Sequence, residues 1–456
     1  MRTVLISLVV LAIIAAAGPA HAQPPQQATA PDLTQPLTVD QALETAFRYS
    51  PTIRQALDRI ERARGAVAEA KANFNPQFNA QATYVRQGPK VSFAVPGTTQ
   101  SVDIVPPYNT TAQATAFLPL DISRRLRYAS EIARLQFELD YLDMLSASEQ
   151  LILNVRRACY NLLRAEGQKD VAQAAVDVAA AHVKDAEARF AAGVAAQFDV
   201  TSAQTNLANL NQRLVQAQNA VEIARTDLNR VMGIDVNAPT RVAASDLSVS
   251  VTDVDIPARV QQAQTRRPIV KAAQSAVELS RRNVRLQRTG ILPTLGLSGG
   301  YVYNFNTVGF SSDKDSWNAA VTLSMPIWDG GITKARVQQA RADVKLAEDA
   351  VSEALLGVGT EARIASLNLE EAAKRVATAA QNVALAEEAL RLATVRYNAG
   401  ISILVEVTDA EASLTEARVN HVNAQYDYAT ALAELQRATS TQPERERLQL
   451  LAEEQQ

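Results

Sequence analysis

The chain has 456 residues, a formal net charge of -3 at pH 7 and no long basic block, so its composition does not indicate nucleic-acid binding. Its single cysteine, Cys159, excludes an intramolecular disulfide framework, and the Ala/Leu-rich surroundings favour a buried position. Beyond the N-terminus no stretch reaches about 18 uncharged apolar residues, so no transmembrane helix is predicted and any contact with a membrane core falls to strands.

The N-terminus has the pattern of an export signal. A basic start precedes a short apolar run, and "AHA", ending at Ala22, supplies an Ala-x-Ala cleavage site. No cysteine follows the site directly, so a lipid-modified N-terminus is not expected. The sequence therefore predicts a signal peptide over residues 1–22 and a disordered Pro/Gln/Ala tether over residues 23–36.

The remaining chain is a duplication. Pro119 and Gly193 are 74 residues apart, and Pro326 and Gly400 repeat that spacing. The phrase "RFAAGVAAQFDV" around Gly193 returns around Gly400 as "RYNAGISILVEV", so two halves with the same order of elements are predicted. The boundaries are a first repeat at 37–235 with a β-hairpin at 77–119, a linker or equatorial segment at 236–256, a second repeat at 257–440 with a β-hairpin at 294–326, and a polar C-terminal tail at 441–456.

Each half is predicted to contain one long helix between two shorter ones. Apolar side chains recur at alternating steps of three and four residues, which is the seam of a coiled coil. The long helices cover about 121–192 and 331–399, with Gly357 and Gly359 as the weakest point of the second, and at 1.5 Å per residue each is about 100 Å long. Such a length suits a tube or a rod. The shorter predicted helices are 39–73, 198–231, 257–289 and 404–439.

In the two hairpins the apolar side chains recur at every second residue, and charged residues are absent from the strand segments. The segments 77–85, 108–120, 293–312 and 316–328 contain no charged residue. Alternating apolar and small or polar side chains suit the wall of an outer-membrane β-barrel, with an ordinary two-sheet core as the alternative. Because four strands cannot close a barrel and lipid tolerates no open edge, the membrane interpretation requires eight strands from two chains or twelve from three. The first hairpin carries ten extra residues, which predict a loop tip.

These features resemble the TolC-like outer-membrane efflux proteins. The resemblance rests on the duplicated halves, the Asn-Pro or Leu-Pro before each hairpin, "MPIWDGGITKARVQQA" and the paired Arg-aromatic-x-x-Gly phrases, and it covers residues 37–438. It implies a mainly α protomer with a membrane β-barrel, in a homotrimer that forms a 12-stranded β-barrel in the outer membrane and an α-helical barrel in the periplasm. The implied partners are a periplasmic adaptor (membrane fusion protein), an inner-membrane transporter and outer-membrane lipid. Such a channel does no chemistry and needs no cofactor.

The resemblance places the two repeated phrases at periplasmic helix-turn-helix tips. There Gly193 and Gly400 allow the tight turn between coiled helices. The exposed tip residues that an adaptor is implied to contact are Ala192, Gly193, Val194, Ala399, Gly400 and Ile401.

The resemblance also places an acidic periplasmic aperture on Glu406 and Asp409 of the second tip. Asp199 is implied as the acid of the first tip, with a hydrogen bond from Tyr397, and Ser402 stands where the best-known member has an arginine that bridges to the first tip. Up to six carboxylates from three chains would then lie within about a Debye length, favouring opening and attracting cations. The alternative is that both acids only complement the dipole of a helix N-terminus.

Other function classes fit less of the sequence. His182 and His421 remain after signal cleavage, and there is no His/Cys cluster, phosphate loop or Ser-His-Asp arrangement, so no enzyme, no catalytic residue and no metal site is predicted. A periplasmic coiled-coil adaptor or structural protein would explain the helices but not the charge-free strands. Within the channel class, export of drugs or other small molecules through a tripartite pump is the first choice, and type I protein secretion is the alternative.

Overall fold

The computed structural model describes residues 35–89, 91–94, 97, 101–105, 107–243, 255–306 and 313–442. The expected signal peptide lies outside these residues, as do most of the expected tether and tail and part of the linker. The first half of the described chain contains α1 (Val39–Tyr49), α2 (Pro51–Ala72), β1 (Gln77–Arg86), β2 (Val91–Ala94), β3 (Ser101–Val105), β4 (Tyr108–Leu120), α3 (Arg125–Ala191) and α4 (Gln197–Met232). The second half contains α5 (Ile256–Arg266), α6 (Pro268–Arg288), a 3-10 turn (Thr289–Ile291), β5 (Thr294–Asn304), β6 (Asp315–Ser324), α7 (Ile332–Asn398) and α8 (Leu404–Ala438).

The two long helices are formed as predicted. Both α3 and α7 have 67 residues, which corresponds to about 100 Å, and α7 continues through Gly357 and Gly359. An aspartate a few residues before each helix accepts hydrogen bonds from the start of that helix. The carboxylate of Asp121 accepts backbone N–H bonds from Leu126 and Arg127, and Asp329 does the same for the first turn of α7. Each long helix packs against the three shorter helices of its own half.

The prediction of one helix over 39–73, and of another over 257–289, was wrong. Each segment is two helices separated by a single extended residue, Ser50 with ψ 127° and Arg267 with ψ 129°. A proline follows each of these residues, and its ring disfavours helical geometry in the residue before it and leaves no N–H for the helix ladder. The break turns the Arg267 side chain into the middle of the molecule, where it meets both halves.

Four strands form one antiparallel sheet in the order β1-β4-β5-β6. The register pairs Gln77 with Phe117, Leu120 with Leu295, and Thr294 with Ser324. Strands β1 and β6 each have one neighbour in this sheet, so two edges are open. The extra residues of the first hairpin, predicted as a loop, contain the two-stranded ribbon β2-β3. None of the helices in the described part of the chain is both long and apolar enough to cross a membrane.

The main apolar core lies midway along α3, where α1 and the C-terminal end of α4 meet it. The fully buried Cys159 is part of this cluster, as the sequence predicts, and burial raises the pKa of its thiol to about 12. Gly233 ends α4 beside the α1–α2 break, with φ +77°. A Cβ atom there would lie 2.5 Å from the carbonyl oxygen of Tyr49 and 2.9 Å from Cα of Ser50. Only glycine fits this position without a backbone shift.

A buried ionic cluster joins the two halves at the same level. Arg267 donates to the backbone oxygen of Arg437 at 2.7 Å, and its guanidinium lies 3.3 Å from Glu361 and 4.0 Å from Glu149. Arg437 also pairs with Glu361. Burial lowers the pKa of Arg267 and outweighs the opposing effect of Glu149, and burial lowers that of Arg437 to about 10. The cluster ties α3 of the first half to α7, α8 and the break between α5 and α6 in the second.

Candidate functional site

The first helical hairpin turns at Gly193. This glycine has φ +76°, and its N–H donates to the carbonyl oxygen of Phe190 at 2.9 Å. The next N–H, of Val194, donates to Arg189 at 3.0 Å. These two bonds form a Schellman turn, which satisfies the last carbonyls of α3 and requires a left-handed residue at the glycine position.

The second hairpin repeats the turn bond for bond. Gly400 has φ +75° and donates to Tyr397 at 3.0 Å, and Ile401 donates to Arg396 at 3.1 Å. The two turns are formed by residues 207 positions apart in the sequence. The repeated phrase therefore encodes the same reversal of the chain in each half, as the sequence predicts.

One acid closes the first turn of the helix that follows each tip. Asp199 is the third residue of α4, and its carboxylate accepts the N–H of Ala196 at 3.2 Å. Glu406 has the same position in α8, where the hydroxyl of Ser402 donates to it at 2.6 Å and the guanidinium of Arg396 lies 3.6 Å away. Ser402 thus acts on Glu406 of its own tip, and Arg396 supplies the cation. Sequence reasoning missed the role of Arg396, although an arginine stands at this place in both repeated phrases.

Tyr397 and Asp199 form no hydrogen bond with each other in the described residues, and the Tyr397 ring contacts an arginine. The guanidinium of Arg189 lies 5.2 Å from the centre of the Tyr397 ring, which is a cation–π distance, and Asp185 holds Arg189 at 2.8 Å. The carboxylate of Asp199 is used by Ala196 of its own turn. The two tips are therefore linked by Arg189 and Tyr397, an arginine that sequence reasoning also missed.

Asp409 lies one turn beyond Glu406 on the same face of α8. Its side chain is exposed and makes no ion pair within the part of the chain that the structure describes. Glu406 has a serine hydroxyl and an arginine beside it, so the two acids differ in charge compensation. The net negative charge at the second tip therefore resides chiefly on Asp409.

Large apolar side chains surround the tips in the single chain. Phe198 is 76% exposed and Val194 is 74% exposed at the first tip, and Ile401 and Ile403 are similarly exposed at the second. The predicted tip residues Ala192, Gly193, Ala399 and Gly400 are exposed as well. Contiguous exposed apolar groups of this kind mark surfaces that contact another macromolecule.

A row of polar contacts along α3 and α8 joins the two hairpins above the tips. It consists of His182 with Glu411 at 2.6 Å, Gln168 with Asn423 at 2.7 Å, Arg164 with Asp427 at 2.7 Å and Arg157 with Glu434 at 2.5 Å. The hydrogen bond and negative charge of Glu411 raise the pKa of His182 and outweigh the effect of its partial burial. In the described residues no group of three or more His, Cys, Asp or Glu side chains could hold a metal ion.

The family model described as outer membrane efflux protein matches residues 42–234 and 259–441, which are the two structural halves. The chain belongs to the outer membrane efflux protein family. Outer membrane protein TolC of Vibrio cholerae is 26% identical over 307 residues, covering 66% of this chain and 70% of TolC. Protein CyaE of Bordetella pertussis is 26% identical over 391 residues, covering 85% of this chain and 80% of CyaE.

The fold agrees with this family. The solved Campylobacter jejuni CmeC outer membrane channel matches with a TM-score of 0.74 at 16% identity, covering 88% of this chain and 85% of that one. The family match confirms the predicted resemblance and the outer-membrane localisation. The fold match confirms the predicted fold class, which is a mainly helical protomer of the kind that forms a β-barrel joined to an α-helical barrel. The protein is an outer-membrane efflux protein.

Proposed function

We propose that this protein is the homotrimeric exit duct of a tripartite export system, which receives substrate from a periplasmic adaptor and an inner-membrane pump. The observation that carries this proposal is the sheet. Four strands with open edges at β1 and β6 continue directly into helices about 100 Å long. In lipid the open edges must be paired, and three copies supply twelve strands, enough for a barrel with a central passage.

The tips are the proposed adaptor surface. Three large apolar side chains at the tips are exposed: Phe198 and Val194 on the first tip and Ile401 on the second. A surface that contacts only water rarely groups exposed apolar side chains in this way. The two identical Schellman turns present these side chains at the same end of the helical pair. A partner that docks there would bury the apolar groups and contact the backbone of the glycine turns.

The acids of the second tip are the proposed gate. Arg396 offsets part of the charge of Glu406 and Ser402 donates a hydrogen bond to it, whereas Asp409 has no such partner among the described residues. Like charges from three copies repel one another and favour a wider neck, while the Arg189–Tyr397 contact holds the two tips of one protomer together. Cations would be concentrated at this neck, as at other rings of acidic side chains.

Small molecules or ions are the proposed cargo. Two relatives have names that refer to small compounds, a fusaric acid resistance protein of Burkholderia cepacia and a pyoverdine export outer membrane protein of Pseudomonas putida. A third is named for cobalt, zinc and cadmium resistance. The proposal predicts that deleting the gene lowers the minimum inhibitory concentration of toxic compounds. If only the level of a secreted protein changes, the type I secretion alternative is correct.

The gate is tested by single-channel recording in planar bilayers. We expect Glu406→Ala with Asp409→Ala to reduce cation preference and weaken block by divalent cations. The matched control is Asp199→Asn, which alters the equivalent position of the first tip, where the acid closes its own turn. Unchanged selectivity in the double variant, or an equal change in the control, would show that these acids only stabilise helix ends.

A further inference from the structure

A cationic groove lies at the barrel end of α7, far from the tips. It has a volume of about 830 Å³ and is formed by the C-terminal end of α6 and the first turns of α7. Four exposed cations line it: Arg288, Lys334, Arg341 and Lys345. Three of them follow one face of α7 at steps of seven and four residues, and Arg288 faces them from α6.

The charges of the groove are not balanced by the described part of the chain. None of the four cations forms an ion pair or hydrogen bond there, although Arg281 and Arg282, one or two turns away on α6, pair with Glu278, Glu348 and Glu131. The acid that lines the groove, Asp329, accepts the N–H groups of Gly331 and Thr333. Hydrogen bonds from Thr333 and Gly331 lower the pKa of Asp329, so it stays ionised and directs its charge at the helix start. The groove retains a net charge of about three positive units.

The membrane side of the groove is apolar. Ile291 lines the groove itself, and Ile327 and Trp328, between the end of β6 and the start of α7, are 99% and 86% exposed. Aromatic side chains occur at the level of the head groups at both faces of a membrane protein, and exposed cations occur just beyond them. Cations and apolar groups are thus arranged in the order that an anionic amphiphile requires.

The helix end that strand pairing would bring beside the groove from a neighbouring copy carries no net charge. If β6 pairs with β1 of the next copy, the chain that leads into β1 brings the C-terminal end of α2 beside the start of α7. The last two turns of α2 contain one acid, Glu69, and one base, Lys71. These charges cancel, so in this arrangement the end of α2 would add no net negative charge to the groove.

We propose that this groove binds the anionic head group of a glycerophospholipid from the periplasmic leaflet of the outer membrane. The guanidinium groups of Arg288 and Arg341 can hold phosphate oxygens through paired N–H bonds, and the two lysines add point charges. The acyl chains would lie against Ile327 and Trp328, continuous with the lipid around the barrel. Such a contact fixes the depth at which the barrel ends and the helices begin.

The test uses the purified oligomer in non-ionic detergent and native mass spectrometry. The probes are dihexanoyl-phosphatidylglycerol, which is anionic, dihexanoyl-phosphatidylcholine, which is zwitterionic, and inorganic phosphate. We expect the wild type to prefer phosphatidylglycerol. In Lys334→Gln with Arg341→Gln, binding should weaken about 25-fold, since each basic side chain near an anionic surface contributes about a fivefold factor.

The matched control is Arg336→Gln with Arg363→Gln, two exposed cations of α7 that do not line the groove. The control removes the same charge from the same helix and should bind phosphatidylglycerol like the wild type. Equal loss in the control, or no loss in the groove variant, overturns the site. Binding of inorganic phosphate as tightly as phosphatidylglycerol overturns the lipid assignment, and dissociation of the groove variant into monomers identifies the groove as a subunit contact.

Discussion

Gly233 carries a sharp prediction about how the first half is held together. Replacing it by alanine places a methyl group 2.5 Å from the carbonyl oxygen and 2.8 Å from the carbonyl carbon of Tyr49, with Cα of Ser50 at 2.9 Å. These atoms are backbone, at the break between α1 and α2, so no side-chain rotation can remove the clash. Either the end of α4 or the break itself must move.

The expected cost has two parts. A non-glycine residue at φ +77° costs about 1–2 kcal/mol relative to right-handed backbone. Overfilling a close backbone contact costs about 1–3 kcal/mol more, because the neighbouring elements must separate. We therefore expect Gly233→Ala to lower the free energy of unfolding by about 2–5 kcal/mol.

The matched control is Gly193→Ala. Gly193 ends a helix in the same type of turn, with φ +76°, and a Cβ atom there would meet nothing within 4 Å. Gly193→Ala has the same cost of a left-handed backbone and the same effect on the entropy of the unfolded chain, but it causes no clash. Urea unfolding followed by far-UV circular dichroism, at equal protein concentration, measures the difference. If both variants lose the same stability, the contact of Gly233 with Tyr49 has no energetic role and the explanation is wrong.

Two further predictions concern the contacts between the halves. Glu411 raises the pKa of His182, so the contribution of this ion pair to folding stability is complete below about pH 6.5 and is lost as the pH rises through the raised pKa. Thermal unfolding should therefore show that His182→Gln loses more stability at pH 5.5 than at pH 9, by up to about 1 kcal/mol. Equal losses of stability at the two pH values would exclude this role. Arg267→Met removes a buried cation near Glu149 and should lower the free energy of unfolding by about 3–5 kcal/mol in urea. Arg281→Met removes an exposed cation from an ion pair and should lower it far less. Similar losses in the two variants would contradict the importance of burial.

Much of the architecture follows from patterns that a sequence carries locally. The spacing between Pro119 and Gly193 repeats between Pro326 and Gly400, and both long helices and both Schellman turns appear where that spacing places them. The periods of helices and strands depend on the geometry of a few consecutive residues, so they can be predicted without reference to the rest of the chain. Pro51 and Pro268 mark both helix breaks in the sequence, because the residue before a proline avoids helical geometry even where apolar periodicity continues.

Contacts between distant segments could not be obtained in this way. Arg189 and Arg396 occupy matching places in the two phrases, yet one stacks on Tyr397 and the other approaches Glu406. Their roles depend on which helix lies beside each tip, a matter of crossing angle and register rather than of local sequence.

The cationic groove also depends on contacts between segments that are distant in the sequence. Each of its cations is plain in the sequence, but Arg288 and Lys334 are separated by a complete β-hairpin and meet because β5 and β6 return α7 to the end of α6. Whether a charge is balanced depends on the groups within a few ångströms of it in space, since electrostatic attraction falls with distance and not with position along the chain. Periodicity therefore determines the helices, the strands and the turns of this protein, while packing determines which charges remain for a partner to bind.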